Sequence, residues 1–289
     1  MAHLGSALGE FLGFALHLNE QDAAPRWSPA PLLYASAGVH LSAAAAVLLR
    51  PRVWPWALSA VVVNHVALAA AGLLPRSRLL GPNWVTLPVS GGEAAGVAIT
   101  VDDGPDPDVT PQVLAQLAEH RARATFFCVG ARVERYPDLA REIVHRGHDI
   151  ENHSQRHRHS FSLMGPAAMS AEVSQAQDSI SRVTGSTPRF FRAPAGLRNP
   201  FLDPILARLQ LRLVSWTRRG FDTVRANSDA VYRRLAKPLQ GGDILLLHDG
   251  NAARSRSGRP VILEVMPRLL DALEEKGLRT VSLRSAIPR

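Results

Sequence analysis

A chain of 289 residues with 46% hydrophobic and 20% charged side chains is long enough to bury a core and lacks the composition of disordered, collagen-like or low-complexity proteins. Cys128 is the only cysteine, which excludes a disulfide framework and a cysteine-built metal site, so any metal must sit on histidine and carboxylate. The formal charge of +8, almost all of it arginine because only Lys237 and Lys276 are lysines, favours an anionic partner or surface only weakly.

Residues 2–18 are apolar but interrupted by His3, Glu10 and His17, which predicts an interfacial or packed helix. No basic stretch precedes them, as a cleavable signal peptide would require. Segments 31–49 and 53–74 each run about the length of a bilayer without a charged side chain. Arg50 and Arg52 lie between them, Arg76 follows, and Trp27, Trp54 and Trp56 sit where amphipathic rings settle at a membrane interface. These features predict a transmembrane hairpin. Ser36, His40, Ser42, Asn64 and His65 count against it, and the alternative is a pair of Ala-rich helices inside a soluble core. The flanks do not orient the hairpin, since Arg50 and Arg52 at the turn face Arg26, Arg76 and Arg78 at the other end.

A composition boundary falls near residue 90. Residues 1–93 carry 5 basic and 4 acidic side chains, and residues 94–289 the other 28 and 21. The predicted organisation is an N-terminal helical membrane-anchor region, 1–93, followed by an α/β domain, 94–289. In that domain, β-like runs at 97–102, 124–129, 149–152, 190–193, 211–216, 244–248 and 280–283 alternate with helical spacing at 112–119, 137–145, 167–183, 202–209, 230–235 and 262–276. Thr110 and Pro111 supply an N-cap and a first-turn signal for the first helix. About seven such units predict a distorted (β/α) barrel.

Polar residues gather where the strands should end, the part of a barrel in which sites are assembled. Thr100-Val101-Asp102-Asp103-Gly104-Pro105 sets two adjacent carboxylates at the end of a buried strand. That is costly unless a cation or arginine compensates, although an Asp-Gly-Pro turn reads equally well. His153-Ser154-Gln155-Arg156-His157 follows another strand. Its histidines, one helical turn apart, would suit two imidazoles on one metal, but His145, His148 and His159 nearby fit a His-rich surface loop too. Joined by Asp103, His153 and His157 make a two-histidine, one-carboxylate set that leaves metal positions open for water and substrate. Arg192-Ala193-Pro194-Ala195-Gly196 ends a third strand, and 244–247 delivers His248 and Asp249. In a barrel mouth an arginine would orient a carboxylate and a histidine would donate a proton; singly, each is more often structural.

In order and spacing these motifs resemble the polysaccharide deacetylase family, which shares the NodB homology domain and forms carbohydrate esterase family 4, over about residues 94–289. The family's T-F-D-D-G-P appears as Thr100 to Pro105 with Val101 for the aromatic residue, its H-S/T-x-x-H as His153 to His157, its R-x-P-x-G as Arg192 to Gly196, and its L-x-H as Leu246-Leu247-His248. Trp216 and Asp222 fit a further motif, with Thr217 where an acidic residue is common. The resemblance implies Asp102 as general base and Asp103, His153 and His157 as ligands of a divalent metal, zinc first, with cobalt, nickel or manganese as alternatives. It implies that Arg192 holds the base, that His248 is the general acid tuned by Asp222, and that Trp216 and Leu246 line a pocket for the acetyl methyl group. Ala195 stands where the family often has tyrosine; its backbone N–H would still serve an oxyanion while a sugar-stacking surface is lost.

The implied protein is a membrane-anchored hydrolase, extracytoplasmic by the resemblance, that removes an N-acetyl or other small N-acyl group from an amino sugar in a glycan or lipid-linked saccharide. A deformylase or amidase of a lipid-linked or non-carbohydrate amide would use the same site. A catalytically silent, membrane-anchored glycan-binding module leaves the base, ligands, arginine and acid unexplained. Nucleic acid is not expected as a partner, because the positive charge comes without an aromatic-basic recognition motif. Phe161, Leu163 and Met164 follow the histidine motif and would form an apolar rim facing lipid headgroups, unless they pack beneath their own loop.

Overall fold

The computed structural model describes residues 27–88 and 96–287; the helix expected over 2–18 lies outside them. The two apolar segments form α1 (Pro31–Leu49) and α2 (Trp54–Leu73), joined by a 3-10 turn over Pro51–Val53. Both are long and apolar enough to cross a membrane. A helix in a soluble core buries its apolar face, whereas Leu48 and Trp56 here are 83% and 79% exposed. Four of the five polar residues that count against a hairpin, all but Ser42, meet one another instead. Asn64 Nδ2 donates to Ser36 Oγ at 2.8 Å, the His40 and His65 rings pack edge-on at 5.2 Å, and each histidine Nδ1–H bonds a carbonyl one turn back, Ser36 at 2.7 Å and Val61 at 2.9 Å. Polar groups paired between helices in this way are tolerated next to lipid.

The rest of the chain alternates strand and helix: β1 (Ala98–Asp102), α3 (Thr110–Glu119), β2 (Ala124–Cys128), α4 (Gly130–Arg135), α5 (Pro137–His145), β3 (Asp149–Asn152), α6 (Pro166–Thr184), β4 (Phe190–Phe191), α7 (Leu202–Arg208), β5 (Arg212–Leu213), β6 (Arg218–Arg219), α8 (Ser228–Ala236), β7 (Ile244–His248) and α9 (Val261–Glu275). The seven strands form one parallel sheet in the order β5-β4-β3-β2-β1-β7-β6. It curls into the expected distorted barrel. β1, β2 and β7 are buried at every position, which is why they read as unbroken apolar runs. Ile99 and Val101 pack outward in the core shared with α3 and α9. Strand alternation turns Thr100 and Asp102 inward.

The seven strands are not the seven predicted. The run 280–283 reaches the sheet through a single bridge, Thr280 to Val97, and side-chain bonds hold the rest, such as Leu283 N–H to Thr125 Oγ1 at 3.0 Å. Its place is taken by Arg218–Arg219, which pairs with β7 and carries no apolar signal. β4 and β5 are two residues each, shorter than expected, and α4 is an additional helix directly after β2. Thr110 is the first residue of α3 and not its cap; its hydroxyl accepts from Asp106 N–H at 2.7 Å and donates to Asp249. Phe161 is buried against Phe191, with Met164 packed beside it. Of the expected apolar rim only Leu163 is exposed.

β5 and β6 lie at opposite edges of the sheet. The chain leaving α2 fills the seam between them. Trp84 N–H donates to Leu213 O and Ser215 N–H to Trp84 O, at 2.9 and 2.8 Å, while Leu87 N–H reaches Gly242 O at 2.9 Å. Thr217 Oγ1 donates to Val85 O at 2.7 Å. Leu80 and Leu87 are buried, and the Trp84 indole lies 5.2 Å from the Phe190 ring. Further back, Arg198 N–H bonds Gly72 O at 3.1 Å, and Asn83 Nδ2 bonds both Pro75 O and Ser215 Oγ. Residues 72–87 therefore pack as part of the barrel, upstream of the composition boundary. A chain starting at residue 94 should melt about 10–20 °C below one starting at residue 72, because losing Leu80, Trp84 and Leu87 removes about 5 kcal/mol of apolar burial. Equal melting temperatures would show that the segment does not seal the barrel.

Candidate active site

β1 ends in Asp102, and the next residue turns into the left-handed region, Asp103 at φ 73°. Two adjacent carboxylates thereby leave the strand in different directions. Aspartate tolerates that conformation. The turn continues through Gly104, where a Cβ would lie 2.4 Å from the Asp249 carboxylate. Asp249 is buried, accepts from Gly250 N–H at 2.8 Å and from the Thr110 hydroxyl, and is pushed up to about 7 by burial. It supports the turn from behind.

The histidine motif is not the helical turn its spacing suggests. Ser154 and His157 have φ of 64° and 48°, and the loop is closed by side chains. Ser154 N–H donates to Asn152 Oδ1 at 3.0 Å, His157 N–H to Ser154 Oγ at 3.1 Å, and Arg156 N–H to Glu172 Oε2 at 2.9 Å. A compact turn brings residues four apart together as well as a helix does; here the two rings lie 4.8 Å apart. Asp103 Oδ1 is 3.2 Å from His153 Nε2 and 3.1 Å from His157 Nε2, and one ligand atom from each of the three residues lies within 4.8 Å of the others.

These residues fit a divalent cation. Asp103 Oδ1 is buried without a hydrogen-bond partner, a costly state for a carboxylate oxygen. His153 Nδ1–H donates to Arg192 O at 2.8 Å, which leaves Nε2 facing Asp103, the usual support for a metal-bound imidazole. Burial and the neighbouring His153 hold His157 down to about 4, so its ring is neutral at pH 7. Burial pushes the Asp103 carboxyl up, but the close approach of His153, with His248 and His157, holds it well below the usual range. At His153 burial disfavours the cation, and Asp102 and Asp103 overcome it.

Asp102 is gripped on one side only. Arg192 Nη1 donates to its Oδ1 at 2.6 Å, and Oδ2 is left towards His153 Nε2 at 3.8 Å. The guanidinium is itself fixed: Nη1 to Thr100 Oγ1 at 2.8 Å, Nη2 to Ser215 O at 2.8 Å, Nε to Val214 O at 3.3 Å, and the Phe127 ring 4.1 Å beneath. Across the site, Asp222 holds His248 twice, accepting from its Nδ1–H at 2.9 Å and from its backbone N–H at 2.7 Å. Burial opposes a charge on His248, but Asp222, with Asp102 and Asp103, raises it to about 9. The imidazolium therefore persists at neutral pH.

A pocket of about 350 Å³ brings together Asp102, Asp103, His153, His157 and His248 with Ala195, Trp216 and Leu246. Arg192 and Asp222, wholly buried, stand behind it. Ala195 adopts φ 56°, and a Cβ at Gly196 would meet the Trp216 ring at 2.5 Å. Sequence reasoning missed four lining residues, His159, Arg219, Thr223 and Asn251. Asn251 Nδ2 donates to Asp103 Oδ2 at 3.3 Å; its position three residues after His248 was the one available signal.

The profile of the polysaccharide deacetylase family matches residues 91–214. A peptidoglycan-N-acetylglucosamine deacetylase of Bacillus cereus is 32% identical over 213 residues, 73% of this chain and 96% of that protein. A chitooligosaccharide deacetylase of Sinorhizobium fredii is 35% identical over 204 residues, 68% of this chain and 94% of that protein. Among solved structures, a family 4 carbohydrate esterase from Streptomyces lividans in complex with acetate is 31% identical, with a TM-score of 0.59 over 67% of this chain and 96% of that one. With similarity extending over nearly the whole of these relatives, the chain belongs to the polysaccharide deacetylase family.

Proposed function

We propose that this protein is a membrane-held, metal-dependent hydrolase that removes the N-acetyl group of an amino sugar. One observation carries the reading: a base fixed by Arg192 and an acid fixed by Asp222 flank the Asp103–His153–His157 cluster within a single pocket. The relatives named for deacetylating N-acetylglucosamine and chitooligosaccharides supply the substrate class.

Asp103, His153 and His157 would hold the divalent ion, zinc first, with cobalt, nickel or manganese as alternatives. When bound, it polarises the amide carbonyl and makes water a nucleophile near neutral pH. Asp102 Oδ2, left free by the grip of Arg192 on Oδ1, takes the proton of the attacking water. The Ala195 N–H, at the pocket wall and without an acceptor among the described residues, donates to the developing oxyanion. Trp216 and Leu246 enclose the acetyl methyl group. His248 passes the Nε2 proton to the leaving nitrogen, so the products are a free amine and acetate. The complete set of groups argues against a silent binding module, and the apolar walls favour acetyl over formyl.

The reading includes an anchor of α1 and α2 ahead of the catalytic unit, with the barrel on the extracytoplasmic side where such glycans lie. The full chain should sediment with membranes and resist carbonate extraction; recovery in the soluble fraction without detergent would overturn the anchor. Asp103→Ala should lose metal and activity together. Asp102→Asn should keep metal, measured by plasma mass spectrometry, while acetate release falls at least about a hundredfold. The reverse pattern would exchange the two roles.

The pH profile tests the acid. With His248 raised to about 9, the rate should hold through neutrality and fall as the imidazolium loses its proton near that pH. Removing the carboxylate charge in Asp222→Asn lowers the histidine pKa, so this limb should move down by on the order of a unit or more with metal retained. An unmoved limb would assign it to another group.

A further inference from the structure

An open cleft of about 900 Å³ lies beside the catalytic pocket, and Trp216 and Arg219 form the wall between the two. Arg76, Arg78, Arg218 and Arg234 also line the cleft, and no carboxylate does. Among the described residues only Arg218 of these has an ion-pair partner, Asp243 at 2.7 Å. Arg219 and Arg234 crowd the same Phe221 ring, each 4.9 Å from its centroid, and Arg219 Nε is buried without a hydrogen-bond partner. Guanidinium groups gathered in this way repel unless an anion joins them, and their planar forks suit phosphate oxygens. A neutral glycan has no use for such a surface.

The cleft also opens at the hairpin end of the barrel. It begins at Leu74, the residue after α2, and its wall includes the exposed Leu79. Apolar side chains at the hairpin exit thus lead to arginines of which Arg76 and Arg78 bond only backbone carbonyls, Thr217 O and Asn83 O, and one side-chain wall further stand the groups that would cleave an amide. In a 2-acetamido sugar phosphorylated at C1, the phosphate and the amide are carried on neighbouring carbons. A substrate of that kind presents its two groups, from one sugar ring, to two cavities that share the Trp216–Arg219 wall.

The geometry points to this cleft as the subsite for the phosphate or diphosphate of a lipid-linked amino sugar, held by Arg76, Arg219 and Arg234 while the acyl group enters the pocket. The assignment rests on the amide-hydrolase reading and narrows its substrate from a polysaccharide to a single sugar on a membrane lipid. A bilayer phospholipid offers the same phosphate chemistry without the sugar, and the test separates the two.

The full-length protein in phosphatidylcholine nanodiscs is assayed for acetate release from N-acetylglucosamine joined by a diphosphate to farnesol, and from chitotetraose. The wild type should favour the diphosphate substrate in kcat/KM by at least about tenfold, and Arg76→Gln with Arg234→Gln should lower that preference at least about tenfold, mainly through KM, with melting temperature unchanged. Farnesyl diphosphate itself should bind the wild type and bind the double variant at least about tenfold more weakly by calorimetry. A preference for chitotetraose, or a preference unaltered in the variant, would overturn the subsite. Competitive loss of the diphosphate preference when phosphatidylglycerol replaces phosphatidylcholine would give the cleft to bilayer headgroups and overturn the substrate assignment; insensitivity to that exchange supports it. Should neither substrate yield acetate while farnesyl diphosphate binding still depends on the two arginines, the hydrolase reading fails and the phosphate site stands.

Discussion

Arg192 is the largest of the wholly buried side chains among the described residues, and burial pushes its guanidinium below its usual pKa, against the pull of Asp102. A buried cation of this size is tolerable only when each of its nitrogens finds an acceptor. Here Asp102, Thr100, Val214 and Ser215 provide them. The same bonds determine what Asp102 can do. With one oxygen held and the other facing the cluster, the carboxylate is fixed in the orientation that the proposed base role needs. Its neighbour Asp103, rotated away by the left-handed backbone, faces the two histidines.

The acceptors of Arg192 tie the site to the chain's unusual entry into the barrel. Ser215, whose carbonyl takes one Arg192 donor, gives its own N–H to Trp84 and its hydroxyl to Pro75 O at 2.5 Å. The next residue, Trp216, walls both the catalytic pocket and the arginine cleft. The segment leaving the apolar hairpin therefore does two things at once. It seals the open edge of a sheet that would otherwise expose unpaired backbone between β5 and β6, and it seats the residues around the base. In this chain the apolar hairpin and the pocket are mechanically continuous.

Much of the site is legible in the chain because its key residues are local: Asp102 beside Asp103, His153 four before His157, Arg192 and His248 each closing a strand. Strand ends in a parallel barrel point to one rim, so reading the strands amounts to reading the rim. The apolar hairpin is legible for an equally local reason, unbroken hydropathy over the length of a bilayer. Where sequence reasoning failed, the competing principle can be named. A spacing of four histidine-to-histidine fits a helix and a side-chain-closed loop equally, and Asn152, Ser154 and Glu172 chose the loop. A strand of two arginines has no pattern to read, since backbone pairing with β7 alone defines it.

The sequence by itself determined the family, the candidates for ligand set, base and acid, and the existence of two bilayer-length helices, because each is written in contiguous residues. Tertiary structure alone decided where the barrel begins, which strand borders β7, and that Arg76, Arg219 and Arg234 share one cleft. These depend on contacts such as Asn83 with Ser215, 132 positions apart. Periodicity and spacing report a residue's neighbours along its own element, and they carry no information on which distant backbone will fill a seam or which distant cations will be left facing one another.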